Sequence, residues 1–180
     1  AASMATSPSV ENLTLGTGIV KWMEQGAGSY RDLGEVAAFS TSMDFTTLPY
    51  MSRRGSSRQQ VKEVTTEKTM SVTLTLNELS DLNLEMWASG TLSGSPAVIT
   101  IGDTEVRGSL RFIGKNNVGV KVQVDLFDVI FTPGELNWLG DEWAEIPLTG
   151  RVLADSSTSS FAEIRPDTDG TEQAAGSRAV

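Results

Sequence analysis

Alternating apolar and polar residues mark the clearest strand of this chain, between Thr69 and Leu76. Every second residue is apolar there and its neighbours are Thr or Ser, which is the period-2 pattern of a strand with one buried and one polar face. The apolar face comprises Met70, Val72, Leu74 and Leu76, and the polar face comprises Thr69, Ser71, Thr73 and Thr75. From residue 77 the apolar residues recur at helical spacing, which predicts a short packed helix over residues 78–88, ending near Gly90.

Further strands are predicted on both sides of this strand and helix. Residues 17–23, 31–45, 97–101, 104–113 and 147–154 have strand character, and Gly102-Asp103 is a hairpin turn signal. The longest candidate runs from residue 118 to 126, where Val and Leu alternate with Lys121, Gln123 and Asp125. The chain is therefore predicted to be mainly β, and these three side chains are expected on a polar strand face.

Two long loops are predicted, and each has a distinct charge. Residues 48–64 combine Pro, Gly and Ser with the basic residues Arg53, Arg54, Arg58 and Lys62. Residues 134–145 carry Trp138 and Trp143 beside the carboxylates of Asp141, Glu142 and Glu145. Loops of this length in a compact domain tend to be functional, so both are candidate contact surfaces.

The length of 180 residues suits one domain with its own core. We expect residues 1–11 to form an N-terminal arm, residues 12–165 to form the single β domain, and residues 166–180 to form a flexible tail. Residues 161–164 are a candidate for a short final strand. No segment approaches the roughly 20 apolar residues of a membrane span and no signal peptide is visible, so no membrane contact is expected.

Composition excludes several functional classes. The chain has no Cys and no His, which removes disulfides, thiolate and imidazole catalysis, and the common zinc sites. Its formal net charge of -9 argues against a protein that grips the phosphates of nucleic acid. The absence of Cys mildly favours assembly in a reducing cytoplasm.

The remaining candidate chemistry is weak. The acidic group Asp141, Glu142 and Glu145 lacks the spaced ligands of a calcium loop. Asp125 and Asp128 are three residues apart on a strand, so they point to opposite faces and cannot act together as a catalytic carboxylate pair. We therefore expect no enzyme activity, no cofactor and no metal.

The basic residues of the first loop have three interpretations: contact with nucleic acid, simple solvation, or contact with acidic groups of another copy. Four positive charges on an acidic chain support only weak, salt-sensitive contact with nucleic acid. Charge complementarity between copies uses both the basic loop and the acidic loop, so we favour it over solvation.

Several segments together resemble the tail tube proteins, or major tail proteins, of long-tailed bacteriophages. The resemblance covers roughly residues 13–161, and the order and spacing of its segments carry it. These segments are Asp32-Leu33-Gly34-Glu35-Val36 with Phe39, Ser52-Arg53-Arg54-Gly55, Leu74-Thr75-Leu76-Asn77-Glu78-Leu79, Asn83-Leu84, Val129-Ile130-Phe131-Thr132-Pro133 and Leu148-Thr149-Gly150-Arg151-Val152-Leu153-Ala154-Asp155.

The resemblance implies a tail-tube-type β-sandwich or barrel with one helix beside it, six copies per ring, and rings stacked into a tube. Such a chain is a structural virion protein of the tail, assembled in the host cell cytoplasm. The implied partners are further copies of the chain, a tape-measure protein in the lumen, and tail-tip and tail-terminator proteins. Double-stranded DNA is expected to pass through the lumen during ejection without specific binding.

Within such a tube, polar strand faces are candidates for the lumen wall, because a wall without net positive charge lets DNA slide. The candidates are Thr69, Ser71, Thr73 and Thr75 on one strand, and Lys121, Gln123 and Asp125 on another. The basic loop residues are assigned to contacts with a neighbouring subunit or ring, and the acidic loop residues to a possible interface.

Two alternatives stay open at this point. One is the inner tube protein of a contractile injection or secretion system, which also forms rings that stack into a tube. The other is a monomeric β-sandwich binding module that uses Trp138 and Trp143 as a ligand platform.

Overall fold

Ten strands and one helix follow one another in a computed structural model that describes residues 9–10, 13, 15–102, 105–157 and 159–173. The elements are β1 (Gly18–Glu24), β2 (Arg31–Asp32), β3 (Val36–Ser52), β4 (Gln59–Leu76), α1 (Asp81–Ala88), β5 (Gly90–Ser93), β6 (Val98–Ile101), β7 (Arg107–Gly114), β8 (Lys121–Pro133), β9 (Ile146–Val152) and β10 (Ala162–Thr168). The chain is mainly β, as its patterning predicts.

Eight of these strands form one antiparallel sheet in the order β2-β1-β7-β8-β9-β4-β3, with β10 paired to β8 beside this path. β5 and β6 form a separate two-stranded sheet. β8 is the centre of the large sheet, because its first half pairs with β10 and its last five residues pair with β9, while β7 runs along its other edge. Among the described strands nothing joins β2 to β3, so the sheet is open and the closed barrel that we allowed for is not formed within the subunit.

Strands that are not neighbours in the sheet order pack against each other across one core. Trp22 of β1 contacts Phe131 of β8 with ring centroids 5.2 Å apart, and Phe39 of β3 stacks on Phe112 of β7 at 5.5 Å. The core between them is apolar and drawn from most strands; its most deeply buried side chains are Leu33, Leu74, Leu76, Leu110, Leu126, Val129, Ile146 and Leu148. The sheet therefore folds over itself as a sandwich.

The strongest pattern in the sequence is confirmed in the second half of β4. Met70, Val72, Leu74 and Leu76 are buried, whereas the Thr and Ser residues between them are exposed or half-buried. The predicted helix is also present, although it begins at Asp81 rather than at residue 78. It begins there because the Ser80 hydroxyl accepts a hydrogen bond from the backbone N–H of Asn83 at 3.2 Å and so caps the first turn.

The predicted long loop over residues 48–64 is wrong. These residues belong to a β-hairpin in which β3 and β4 pair from Val36↔Leu76 out to Ser52↔Gln59, and only residues 53–58 form a turn. The strand signal is absent from the sequence because both faces of the outer hairpin are exposed, so no apolar alternation marks it. Pro49 is tolerated because β3 is an edge strand of the sheet.

Two further expectations need correction. β6 pairs with β5 and β7 pairs with β1 and β8, so β6 and β7 do not form the predicted hairpin across Gly102-Asp103. The predicted flexible tail begins inside an ordered strand, since β10 extends to Thr168 and residues 169–173 bond to the body of the domain. Residues 174–180 and most of the predicted arm over residues 1–11 lie outside the described residues.

Replacing Leu74 by Ala tests the core. The Leu74 side chain is fully buried, so Leu74→Ala should lower the free energy of unfolding by about 2–5 kcal/mol through lost burial and the cavity left behind. Thr73→Ala, on the exposed face of the same strand, is the matched control and should change it by less than about 0.5 kcal/mol. Urea denaturation under conditions that keep the protein monomeric measures both; equal effects would contradict the assigned faces.

Candidate functional site

The outer hairpin, defined as residues 40–69, is the most prominent exposed feature of the subunit. Every residue in it is exposed except Ser52, which is half-buried. Several large apolar side chains lie there in water: Met43, Phe45, Leu48, Tyr50, Met51, Val61 and Val64. An isolated two-stranded ribbon is marginally stable in water, and exposed apolar side chains in a row mark an interaction surface.

Near the core, one face of the hairpin is polar and continues the predicted lumen face of β4; farther out, Leu48 and Tyr50 lie on this same face by alternation along β3. The cross-strand register places Ser42 opposite Ser71, and their hydroxyls are 2.7 Å apart. Asp44 lies opposite Thr69 and Ser40 opposite Thr73, so these residues of β3 extend the face sideways. Thr69 and Thr73 are exposed, while Ser71 and Thr75 are half-buried. On the other side of β4, Arg151 of β9 lies opposite Ser71 and adds one positive charge.

The basic residues occupy the far end of this hairpin. Arg53, Arg54 and Arg58 lie in the turn between β3 and β4, which we call the basic tip (residues 53–58), and all are exposed. Lys62 lies near the start of β4, opposite Tyr50 of β3. Within the part of the chain that the structure describes, none of the ion pairs involves these four residues.

The acidic residues lie in the tryptophan loop, residues 134–145, between β8 and β9. Asp141, Glu142 and Glu145 are exposed, as are Trp138, Leu139 and Trp143. The base of the loop is fixed by α1: the Trp87 indole N–H donates to the Gly134 carbonyl at 2.9 Å, and Trp87 meets Trp138 edge to face at 6.0 Å. The loop therefore presents apolar and acidic groups together from an anchored base.

Lys121, Gln123 and Asp125 do not form an open polar face. Gln123 and Asp125 are completely buried, and Lys121 is half-buried beside the Asp169 and Gly170 backbone. They are covered because β10 pairs along this half of β8 and residues 169–173, which we call the closing segment, continue over it. We therefore correct the expectation that Gln123 and Asp125 line a lumen.

A buried charge cluster lies under the closing segment. Arg111 of β7 donates to Asp125 at 2.7 Å and to Glu172 at 2.7 Å, and its guanidinium lies over the Tyr30 ring at 4.2 Å. Burial alone lowers the pKa of Arg111, but the hydrogen bonds to the two carboxylates outweigh it and raise that pKa. Gln123 and Gln173 exchange two hydrogen bonds, of 3.0 and 2.8 Å. The cluster fixes the end of the described chain against β7 and β8.

Sequence analysis did not find this cluster. Arg111 and Glu172 are far apart in sequence, and nothing near either residue signals the other. Asp125 and Asp128 point to different surroundings, as expected, and each is paired with an arginine: Asp125 with Arg111, and Asp128 with Arg107 at 2.5 Å. Each carboxylate therefore belongs to a structural ion pair.

Among the described residues no group of three or more acidic side chains is arranged to hold a metal ion. The helix that these residues contain, α1, has eight residues and is too short to span a membrane.

Replacing Glu172 by Gln tests the closing segment. Hydrogen bonds from Lys21 and Arg111 lower the pKa of Glu172, so its carboxylate stabilises the fold above its ordinary pKa of 4.5, and this contribution is lost as pH falls. Because a third of the side chain is exposed, Glu172→Gln should cost only about 0.5–1 kcal/mol at pH 7. Urea denaturation between pH 7 and pH 3 should show a shallower loss of stability on acidification than in wild type; Glu67→Gln, exposed on the hairpin, is the control. An unchanged slope in Glu172→Gln would contradict the role of this carboxylate.

No protein-family model matches the chain, and no curated protein sequence matches it. Solved structures do match the chain. A chain of the anti-feeding prophage (AFP) baseplate matches with 9% sequence identity and a TM-score of 0.51, over 89% of this chain and 97% of that one. A chain in the tail of the empty gene transfer agent (GTA) particle matches at a TM-score of 0.47 with 12% identity, over 80% of this chain and 94% of that one. The AFP match shows that this chain shares the mainly β fold of that baseplate chain.

Proposed function

We propose that this chain is a structural, non-enzymatic subunit that assembles with copies of itself into closed rings of six, and that the rings stack into a phage tail tube. The main support for the proposal is the exposure of the outer hairpin. Its strands extend far beyond the core, and it exposes apolar side chains on both faces. A neighbouring copy that covers the hairpin gives these side chains the burial that the subunit lacks.

The edges of the open sheet support ring formation. β3 is one edge and β2 is the other, so a long strand with unpaired backbone groups lies at one end of the sheet. Such an edge pairs readily with another chain. A head-to-tail interface generates a closed ring when the rotations between neighbouring copies add up to a full turn. Joining the sheets around that ring forms a barrel without free edges.

The polar hairpin face is the proposed lumen wall. Next to the core it contains Thr69, Ser71, Thr73 and Thr75 with the neighbouring residues of β3. Its charges are sparse there: Asp44 and Glu67 against Arg151, with Lys62 farther out on the same face. A wall of this composition offers few cations to DNA phosphates, so DNA slides rather than binds. In this role the tube holds a tape-measure protein, joins tail-tip and tail-terminator proteins, lies in the virion tail, and is assembled in the host cytoplasm.

The likeness to a chain of the AFP baseplate favours a second candidate, a ring or inner-tube component of an injection system. A monomeric binding module remains the alternative from another class. Purified wild-type protein separates them by size-exclusion chromatography and negative-stain microscopy. Tubes are expected of the tail-tube function and of an inner-tube component alike, single rings without tubes support a baseplate ring component, and a monomer at every concentration contradicts both candidates.

The double variant Leu48→Ser/Tyr50→Ser tests the hairpin directly. Both side chains are about two-thirds exposed in the subunit, at 65% and 66%, so the monomer should keep its fold and its circular dichroism spectrum. Assembly should be lost because two apolar contacts at the proposed interface are removed. Val98→Ser/Ile101→Ser, also exposed but on β6, is the matched control. Normal tubes from the hairpin variant would rule out this surface as the ring interface.

A further inference from the structure

The basic tip and the tryptophan loop lie at opposite ends of the longest strand pair. β4 begins beside the basic tip at Gln59 and ends at Leu76, which pairs with Ile146, the first residue after the tryptophan loop. Thr75 itself lines the cavity within that loop. An extended strand of 18 residues spans about 60 Å, so the two surfaces face away from each other along one axis.

The two surfaces carry opposite charge. The basic tip contains three arginines and no carboxylate, and the nearest carboxylate along β4 is Glu63. The tryptophan loop contains four carboxylates, from Glu135, Asp141, Glu142 and Glu145, and no Lys or Arg. Each copy therefore presents a positive surface at one end and a negative surface at the other.

The apolar side chains of the tryptophan loop restrict what can cover it. Trp143 is 96% exposed, Leu139 92% and Trp138 68%, and the two tryptophans line a cavity together with Glu142 and Glu145. A group that fits this surface must bind carboxylates and also cover indole rings. The arginine guanidinium does both, since it pairs with carboxylates through a planar fork and stacks on aromatic faces.

We propose that the basic tip of one copy docks on the tryptophan loop of another copy in the next ring, so that the tip arginines contact Trp138, Trp143 and the loop carboxylates. This contact rests on the proposed tube function and identifies the stacking interface between rings. A second copy is the occupant because each copy carries both complementary surfaces at opposite ends of one axis. A heterologous contact of this kind does not close on itself, so it extends into a filament.

Charge reversal tests the contact. Variant A is Arg53→Glu/Arg54→Glu/Arg58→Glu, and variant B is Asp141→Lys/Glu142→Lys/Glu145→Lys; all six side chains are exposed in the subunit. In A both surfaces are negative, and in B both are positive because only Glu135 remains acidic in the loop. Each variant alone should form rings but no tubes, or need at least a tenfold higher concentration to form them, because like charges meet at every stack.

Complementation gives the decisive arm of the experiment. In a mixture of preformed A rings and B rings, every A-to-B contact joins opposite charges, so tubes of alternating rings should form. A single chain that carries all six substitutions has both surfaces inverted and should form tubes by itself. Negative-stain microscopy and sedimentation measure tube formation, and Trp143→Ala should raise the concentration needed for tubes while leaving rings intact.

The possible failures are distinguishable. If wild type forms tubes and variants A and B form them equally well, the stacking contact is wrong and the tube function stands. If A and B form no tubes and neither the mixture nor the six-substitution chain restores them, the tip and the loop contact other partners and the proposal is overturned. If wild type forms neither rings nor tubes, the proposed function itself fails.

Discussion

The structure depends on one continuous backbone ladder between β3 and β4. The same two strands pass from the core of the domain to its most exposed end without interruption other than three shifts of register. In the inner half of β4, alternate side chains are buried, and that burial fixes which face points outward. Because the ladder is continuous, it also sets which face of the outer half of the hairpin points outward. The apolar core therefore determines the direction in which the hairpin presents its polar face, its apolar side chains and its basic tip.

The second constraint is the buried charge cluster beneath the closing segment. Arg111 and Asp125 are almost fully buried, and removing one partner of such a pair typically costs about 3–5 kcal/mol because it leaves a charge in the interior. From the closing segment, Glu172 accepts a hydrogen bond from Arg111, and the backbone N–H of Gln173 donates one to Gln123. The polar face of β8 is thus an internal surface of the subunit, whereas the hairpin and the tryptophan loop are exposed.

How far the sequence predicts this fold depends on what covers each strand. The inner half of β4 and the capped helix were predictable because one face of each is buried, which leaves a periodic signal in Met70, Val72, Leu74 and Leu76. The outer hairpin was not, because strands exposed on both faces show no such period. Gln123 and Asp125 were misplaced for a different reason: alternation shows that they share a face, but only the distant strand β10 decides whether that face meets water. The loop positions of Trp138 and Trp143 were read correctly from local composition.

The position of β10 at the end of the described chain has a consequence for biosynthesis. β8 is made well before β10, so its first half emerges from the ribosome with an unpaired edge and with Gln123 and Asp125 uncovered. Asp125 can pair with Arg111 as soon as both are made, but Gln123 acquires its partner Gln173 only after residues 162–173 have emerged. Native closure of the domain therefore waits for β10, and a chain interrupted before β10 presents an open strand edge rather than a finished subunit.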